Sequence, residues 1–252
     1  MQKKIEYLER RRKEILYFAQ EKRIIDKKLL LKLFRKVPRN VVLLERDFSF
    51  CNKRVLDIGC NYGTTLLYWR KDSIGIEIED SCRKFLEHFG YVTISTNVEN
   101  SFGIDEKFDA VYSNNLIEHL IAPHLFLVRI YSVLRKGGLL ALGCPIVPIY
   151  PVHKIWSLLG YKGPFAQEHI NFFSALGTEW MLKRAGFDVI KMYFAPFERI
   201  RLEKLDFINK CLGSFSIHML IVAKKIEGYR YFSKRKKMFD PGWAKDVLNI
   251  FR

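Results

Sequence analysis

Apolar positions along the chain change period near residue 40. From Lys3 to Lys36 there is neither Pro nor Gly, and Ile5, Leu8, Ile15 and Ala19, then Ile25, Leu29 and Leu33, recur among charges at helical spacing. This predicts one or two amphipathic helices, with Pro38 as a natural stop. Beyond it, short apolar runs alternate with helical stretches. Strands are predicted at 54–60, 73–78, 91–95, 108–113 and 138–145, and helices at 64–70, 81–89 and 115–134. That alternation predicts an α/β layered fold with a mostly parallel sheet. Residues 145–174 break the rhythm with prolines, glycines, histidines and aromatics. A helix at 175–187 follows, then two apolar strands at 187–194 and 216–225. Those two strands are expected to pair antiparallel at the sheet edge.

The 252 residues suffice for a full core without disulfides or a structural metal, and 49% hydrophobic content excludes a wholly disordered chain. The net charge of +16 matters more for where it lies. Residues 1–40 carry +9 and residues 224–252 carry +6, including Lys234-Arg-Lys-Lys237, so the interior is close to neutral. Basic flanks of this kind point to a polyanion, either nucleic acid or an anionic membrane surface, or to solvated helical faces. The five cysteines are scattered and form no C-x-x-C, which fits free thiols in a reducing cytoplasm. The charged start lacks a signal-peptide pattern, and the longest apolar run, 137–152, contains three prolines and is too short to span a bilayer. A cytoplasmic location, with peripheral membrane contact left open, is the expectation.

Candidate chemistry begins at Val55-Leu-Asp-Ile-Gly-Cys-Asn-Tyr-Gly63, between a strand and a helical stretch. Gly59 and Gly63 permit a tight turn and close approach of a ligand to the backbone. Asp57, two positions before the first glycine, would repel a pyrophosphate but attract a ligand with a cationic end. Glu77 ends the second strand, eighteen residues after Gly59, and is placed to accept two ribose hydroxyls.

These motifs, with Asn97, Phe108-Asp-Ala-Val-Tyr-Ser113 and Leu134-Arg-Lys-Gly-Gly138, resemble class I S-adenosylmethionine-dependent methyltransferases over residues 50–225. Within that class, Asn114-Asn-Leu-Ile-Glu-His-Leu120, Glu168-His-Ile-Asn-Phe-Phe-Ser174 and Leu182-Lys-Arg-Ala-Gly-Phe187 resemble the broad ubiquinone/menaquinone-biosynthesis-like group. The resemblance implies a Rossmann-like seven-stranded sheet with the last strand inserted antiparallel, helices on both faces, and S-adenosylmethionine as cofactor. It implies that Asp57, Gly59 and Gly63, with Cys60 and Asn61 in the loop, hold the methionine end. Glu77, with Ile78 beside it, would bind the ribose, and Asn97 with Val98 the adenine, while Ser113 and Asn114 would pass the cofactor at the fourth strand's end. Asn61 stands where many relatives have glycine, and Asn97 where they more often have aspartate.

Methyl transfer from a sulfonium is an in-line displacement, so the protein must align the reacting atoms and exclude water. For a hydroxyl acceptor a base helps, and His119 and His169 are the candidates, with His119 alternatively organising its loop. Glu118, His119, Glu168 and His169 offer metal-ligating groups, a use seen in some similar quinone O-methyltransferases. Neighbouring side chains diverge on regular backbone, however, and no metal ligands are expected. His124 is expected to cap a helix, and His153 is a further candidate base. The acceptor pocket is expected from 145–173, lined by Ile149, Tyr150, His153, Trp156, Tyr161, Phe165, Phe172 and Phe173.

The expected function is transfer of a methyl group to an oxygen of a small, lipid-like or glycan-like molecule. The alternative is an RNA or protein methyltransferase that docks through its basic flanks; a scaffold on the same fold is a third reading. The absence of an Asp/Asn-Pro-Pro-Tyr/Phe motif after the fourth strand disfavours amine methylation of a base. The expected organisation is a helical extension at 1–40, a methyltransferase domain at 41–226 and a basic tail at 227–252.

Overall fold

The protein is described by a computed structural model, which covers residues 2–158, 168–195 and 215–229. The basic tail from 230 onward, Tyr161 and Phe165 therefore lie outside the described residues. Seven strands occur in chain order as β1 (Val55–Ile58), β2 (Ile74–Ile76), β3 (Val92–Ile94), β4 (Phe108–Asn114), β5 (Leu134–Pro145), β6 (Phe187–Ala195) and β7 (His218–Lys225). The sheet order is β3-β2-β1-β4-β5-β7-β6. β1 pairs parallel with β2 and β4, and β2 with β3, whereas β7 pairs antiparallel with both β5 and β6. This is the Rossmann-like arrangement with an inserted last strand. β7 pairs antiparallel with β6 at one edge of the sheet as expected, inserted between β5 and the outermost β6. Its burial explains why: Met219 to Ala223 are all at most 2% exposed, an unbroken apolar run suited to a strand covered on both faces.

The helices are α1 (Gln2–Glu21), α2 (Lys27–Leu33), α3 (Arg39–Phe48), α4 (Asp80–His88), α5 (Pro123–Val133), α6 (Tyr150–Leu158) and α7 (Ala175–Arg184). Several depart from expectation. α1 and α2 both end before Pro38, as expected, and Pro38 occupies the N-cap position of a further helix, α3, that the periodicity does not announce. The stretch expected as one helix from 115 to 134 is a short 3-10 turn at Ile117–His119 followed by α5, which restarts at Pro123. Ala122 stands at the N-cap of α5 with His124 in its first turn, and the carboxylate of Glu99 accepts from Ile121 N and Ala122 N at 2.5 and 3.2 Å. Helix 64–70 is reduced to a 3-10 turn at Leu66–Tyr68. Residues 150–158, inside the segment that breaks the strand–helix rhythm, are helical.

The fold divides into two compact units, Met1–Thr96 with Glu106–Asn114, and Asn97–Asp105 with Asn115–Arg252. In the first, α1 turns Leu8, Ile15 and Ala19 inward, and Phe18 meets Phe89 with ring centroids 4.9 Å apart. The extension is tied down by polar groups as well. Lys4 Nζ donates to the Glu45 carbonyl at 2.7 Å and to Ser49 Oγ at 2.9 Å, and pairs with the Glu45 carboxylate. Glu45 is 5% exposed and accepts from Cys51 N at 2.9 Å. Glu45→Ala leaves that amide without its partner and is expected to lower the unfolding free energy by about 1–3 kcal/mol, read by urea denaturation. An unchanged midpoint would show that the link is ornamental.

In the second unit, Phe126, Leu127 and Ile130 of α5 are fully buried, and Phe102 packs edge-on against Phe126 at 5.9 Å. Among the described residues no helix is long and apolar enough to cross a membrane.

Candidate active site

The glycine loop belongs to the first unit and is built on the end of β1. Gly59 N and Cys60 N both donate to the Ile76 carbonyl, at 2.9 and 3.2 Å, which pins the loop to the end of β2. Glu77, the next residue, is thereby brought beside it. Gly59 has φ 74° and Gly63 φ 65°, the left-handed region. A Cβ on Gly63 would lie 2.2 Å from Leu86 Cδ2, so this glycine also lets α4 close on the loop. The Gly63 amide donates to the Cys60 carbonyl at 2.8 Å. The amides of both glycines are engaged inside the turn, and their contribution to a ligand is shape. Asn61 adopts φ 48°, a conformation Asn tolerates, and its side-chain oxygen accepts from Tyr62 N at 2.7 Å.

Two carboxylates flank this loop. Asp57 is 1% exposed and accepts from the Thr65 hydroxyl at 2.6 Å. Burial raises it to about 7, against the opposing pull of Thr65 and a weaker one from Trp69; Glu77's charge pushes the same way as burial. The Trp69 indole N–H exerts that pull without reaching bonding geometry. Glu77 is half-buried and accepts from Asn61 N at 2.8 Å and Glu79 N at 2.9 Å, one on each oxygen. Each oxygen retains a second lone pair for a hydroxyl donor. Ile78 beside it is 72% exposed, an apolar surface open to a ligand. Cys60 is buried, its thiol pushed upward by burial and the neighbouring carboxylates, which makes it packing rather than chemistry.

At the end of β4, Ser113 is fully buried and its hydroxyl has no partner among the described residues. Asn114 accepts from Asn40 Nδ2 of α3 at 3.2 Å, and the same nitrogen lies 3.1 Å from the Tyr112 hydroxyl. Asn40 thus joins the extension to the strand end, a link no local pattern announces. These residues fit S-adenosylmethionine: a buried carboxyl at the base of the loop for the ammonium, a carboxylate with open lone pairs for paired hydroxyls, and a tight turn with no Cβ at Gly59 and Gly63.

The second unit holds the other candidates. Asn97 is exposed and its side-chain oxygen accepts from Glu99 N at 2.9 Å, while the carbonyl of buried Val98 accepts from Arg129 at 2.9 Å. Glu118 is 1% exposed, yet neither carboxylate oxygen has a hydrogen-bond partner among the described residues. Burial raises its pKa, opposed by its own backbone amide and by His119 and His169. His119 Nδ1 lies 3.0 Å from the Glu168 carbonyl. A carbonyl can only accept, so Nδ1 is the donor in this bond and Nε2 is the ring nitrogen turned away from it. The His119 and His169 rings meet edge-on at 4.8 Å. Ile170 N and Asn171 N both donate to the Glu118 carbonyl at 3.0 Å, and Asn171 Nδ2 donates to Leu120, clamping the two segments together.

Ligand atoms of Glu118, His119 and His169 all lie within 4.8 Å of one another, a set able to hold a metal ion. The expectation that neighbouring side chains diverge is corrected here. Residues 117–119 form a tight 3-10 turn, not a regular helix or strand, and His169 arrives from a distant segment. Glu168 contributes its backbone carbonyl. Two further polar residues escaped the sequence reading: His218 Nε2 lies 2.9 Å from Asn115 Oδ1, and burial lowers that imidazole to about 4. Of the expected acceptor lining, Phe173 is buried while Ile149 and Phe172 are exposed. The side chains of Tyr150, His153 and Trp156 lie outside the described residues.

Fold and loop together define a class I S-adenosylmethionine-dependent methyltransferase. The family described as a methyltransferase domain matches residues 14–192, and the chain belongs to it. A tRNA U34 carboxymethyltransferase of Wolinella succinogenes is 33% identical over 202 residues, covering 76% of this chain and 72% of that protein. A tRNA U34 carboxymethyltransferase of Campylobacter hominis is 32% identical over 108 residues, 38% of this chain and 37% of the other. Among solved structures, an S-adenosylmethionine-dependent methyltransferase of Archaeoglobus fulgidus shares the fold with a TM-score of 0.54 at 20% identity, over 78% of this chain and 98% of that one.

Proposed function

We propose that the protein transfers a methyl group from S-adenosylmethionine to RNA, with tRNA as the substrate class. The observation that carries this is the 33% identity over 202 residues to a tRNA-modifying enzyme. The relatives favour RNA over the small, lipid-like or glycan-like acceptor expected from the aromatic segment. They supply no support for a closer tie to the quinone-biosynthesis group.

Bound cofactor supplies an electrophilic methyl group on a sulfonium. The chain's part is to hold that group and prepare the acceptor. Within the first unit, Asp57 and Glu77 anchor the cofactor's ammonium and ribose. His119, with Nδ1 engaged by a carbonyl, presents Nε2 as the base toward an acceptor hydroxyl. The buried carboxylate of Glu118, 3.9 Å from Nε2, stabilises the imidazolium that results. The unpartnered Glu118 oxygens favour a second use of the same three residues, as ligands of a divalent ion that would acidify the acceptor hydroxyl.

The test is transfer of labelled methyl from S-adenosylmethionine to bulk tRNA, followed by nuclease digestion and mass analysis of the nucleosides. Label in a nucleoside whose mass rises by one methyl group is expected. Label confined to lipid or phenolic acceptors would overturn the reading. His119→Ala is expected to lower kcat by roughly 10²-fold or more while cofactor binding persists. Loss of activity in chelator, restored by manganese, would assign the trio to a metal instead of a base.

A further inference from the structure

We infer that residues 22–36, the loop and short helix α2 between α1 and α3, form a phosphate-binding platform that docks RNA beside the cofactor loop. This rests on the RNA reading above and names where that partner is held. All seven Lys and Arg residues in the segment are exposed, and its one acid is Asp26. Asp26 is itself engaged, accepting from Leu29 N at 3.0 Å as the cap of α2.

The extension's basic residues divide into two groups. Lys4, Arg11 and Arg12 face inward: Lys4 binds Glu45 and Ser49, Arg11 donates to the Leu67 carbonyl at 3.1 Å, and Arg12 donates to the Phe34 carbonyl at 3.1 Å. These cations hold the extension in place. Those of 22–36 do not serve that purpose, because the segment is anchored by its apolar side, with Leu30 and Phe34 fully buried and Phe34 stacked on Phe85 at 6.2 Å.

That anchoring decides between two polyanions. An amphipathic helix that lies in a membrane must offer its apolar face to the bilayer. Here that face is already committed to the protein, and Leu31 alone among the segment's large aliphatic residues is counted exposed, at 44%. Cations without an insertable face match a phosphate backbone, whose neutralisation releases counterions. Position completes the argument. Four residues after Lys36, Asn40 bonds Asn114 at the end of β4, so the platform leads to the strand end beside the glycine loop within one compact unit.

The experiment uses the full chain with Lys27, Lys28 and Lys32 replaced together by glutamine. Binding of bulk tRNA is measured by fluorescence anisotropy across a salt series, with anionic phosphatidylglycerol vesicles as a parallel arm and S-adenosylmethionine calorimetry as the check on folding. The variant is expected to bind tRNA about tenfold or more weakly, with a log–log salt slope lower by about 2–3, and to bind the cofactor as wild type does. An unchanged tRNA affinity and slope would overturn the platform, as would a wild-type protein that binds vesicles but not tRNA. If wild type methylates tRNA and the variant binds it undiminished, the platform fails and the function stands. If the variant loses tRNA binding while wild type transfers no methyl to tRNA, the platform stands and the function fails.

Discussion

Replacing Glu77 with alanine is expected to weaken S-adenosylmethionine binding by about a hundredfold or more. Two charge-assisted hydrogen bonds from ribose hydroxyls are at stake, each worth about 1.5–3 kcal/mol, and every 1.4 kcal/mol is tenfold in affinity. The same carboxylate also holds Asn61 N and Glu79 N, so its loss loosens the loop as well. A cofactor analogue lacking a ribose hydroxyl separates the two effects in a double-mutant cycle. Wild type should lose affinity for the analogue, and Glu77→Ala should show little further loss. An equal loss in both proteins would remove Glu77 from the ribose and leave it as a loop brace.

Asp57→Asn should move stability and cofactor binding in opposite directions. Burial raises this carboxyl from 3.8 to about 7, so the folded chain holds the proton more tightly than the unfolded chain does. Its contribution to stability is complete below about pH 3.8 and is lost as pH rises through about 7. An asparagine carries no such loss. The variant should melt above wild type at pH 8, by roughly 1–3 kcal/mol, and close to it at pH 4. Cofactor affinity should fall about tenfold or more at pH 8, where wild type presents a full negative charge to the ammonium. Wild-type affinity should rise between pH 6 and pH 8 and the variant's stay level. Should the variant melt lower at pH 8, the Thr65 bond to the carboxylate outweighs the cost of burying it.

The sheet and the glycine loop were readable because short-range patterns encode them. Apolar runs of strand length mark β1, β2 and β4, and the interval from Gly59 to Glu77 is one step between adjacent parallel strands through the glycine loop and a 3-10 turn. Glu118, His119, Glu168 and His169 are legible together as metal-ligating groups, but adjacent side chains on regular backbone are expected to diverge, so the convergence of Glu118, His119 and His169 is not. Judging whether side chains converge requires the backbone path, and here a 3-10 turn replaced the helix that periodicity predicted. Asn40 was invisible for a different reason: its partners lie 72 and 74 residues away. The basic extension was legible as a charge surplus. Only burial separates the cations that fasten it, such as Arg11 and Arg12, from those that face outward.

The position of β7 has a consequence for how each molecule is made. It is synthesised after β5 and β6, yet lies between them, and β6 at the sheet edge has β7 as its neighbour. Until residues 218–225 have left the ribosome, the nascent chain carries two strands awaiting the one that joins them, with open edges able to pair wrongly. The irregularity between Val189 and Lys191 is likewise set against a partner that does not yet exist. Closure of this half of the sheet is therefore a late event in synthesis, and a chain stalled before it is the species that chaperones would meet.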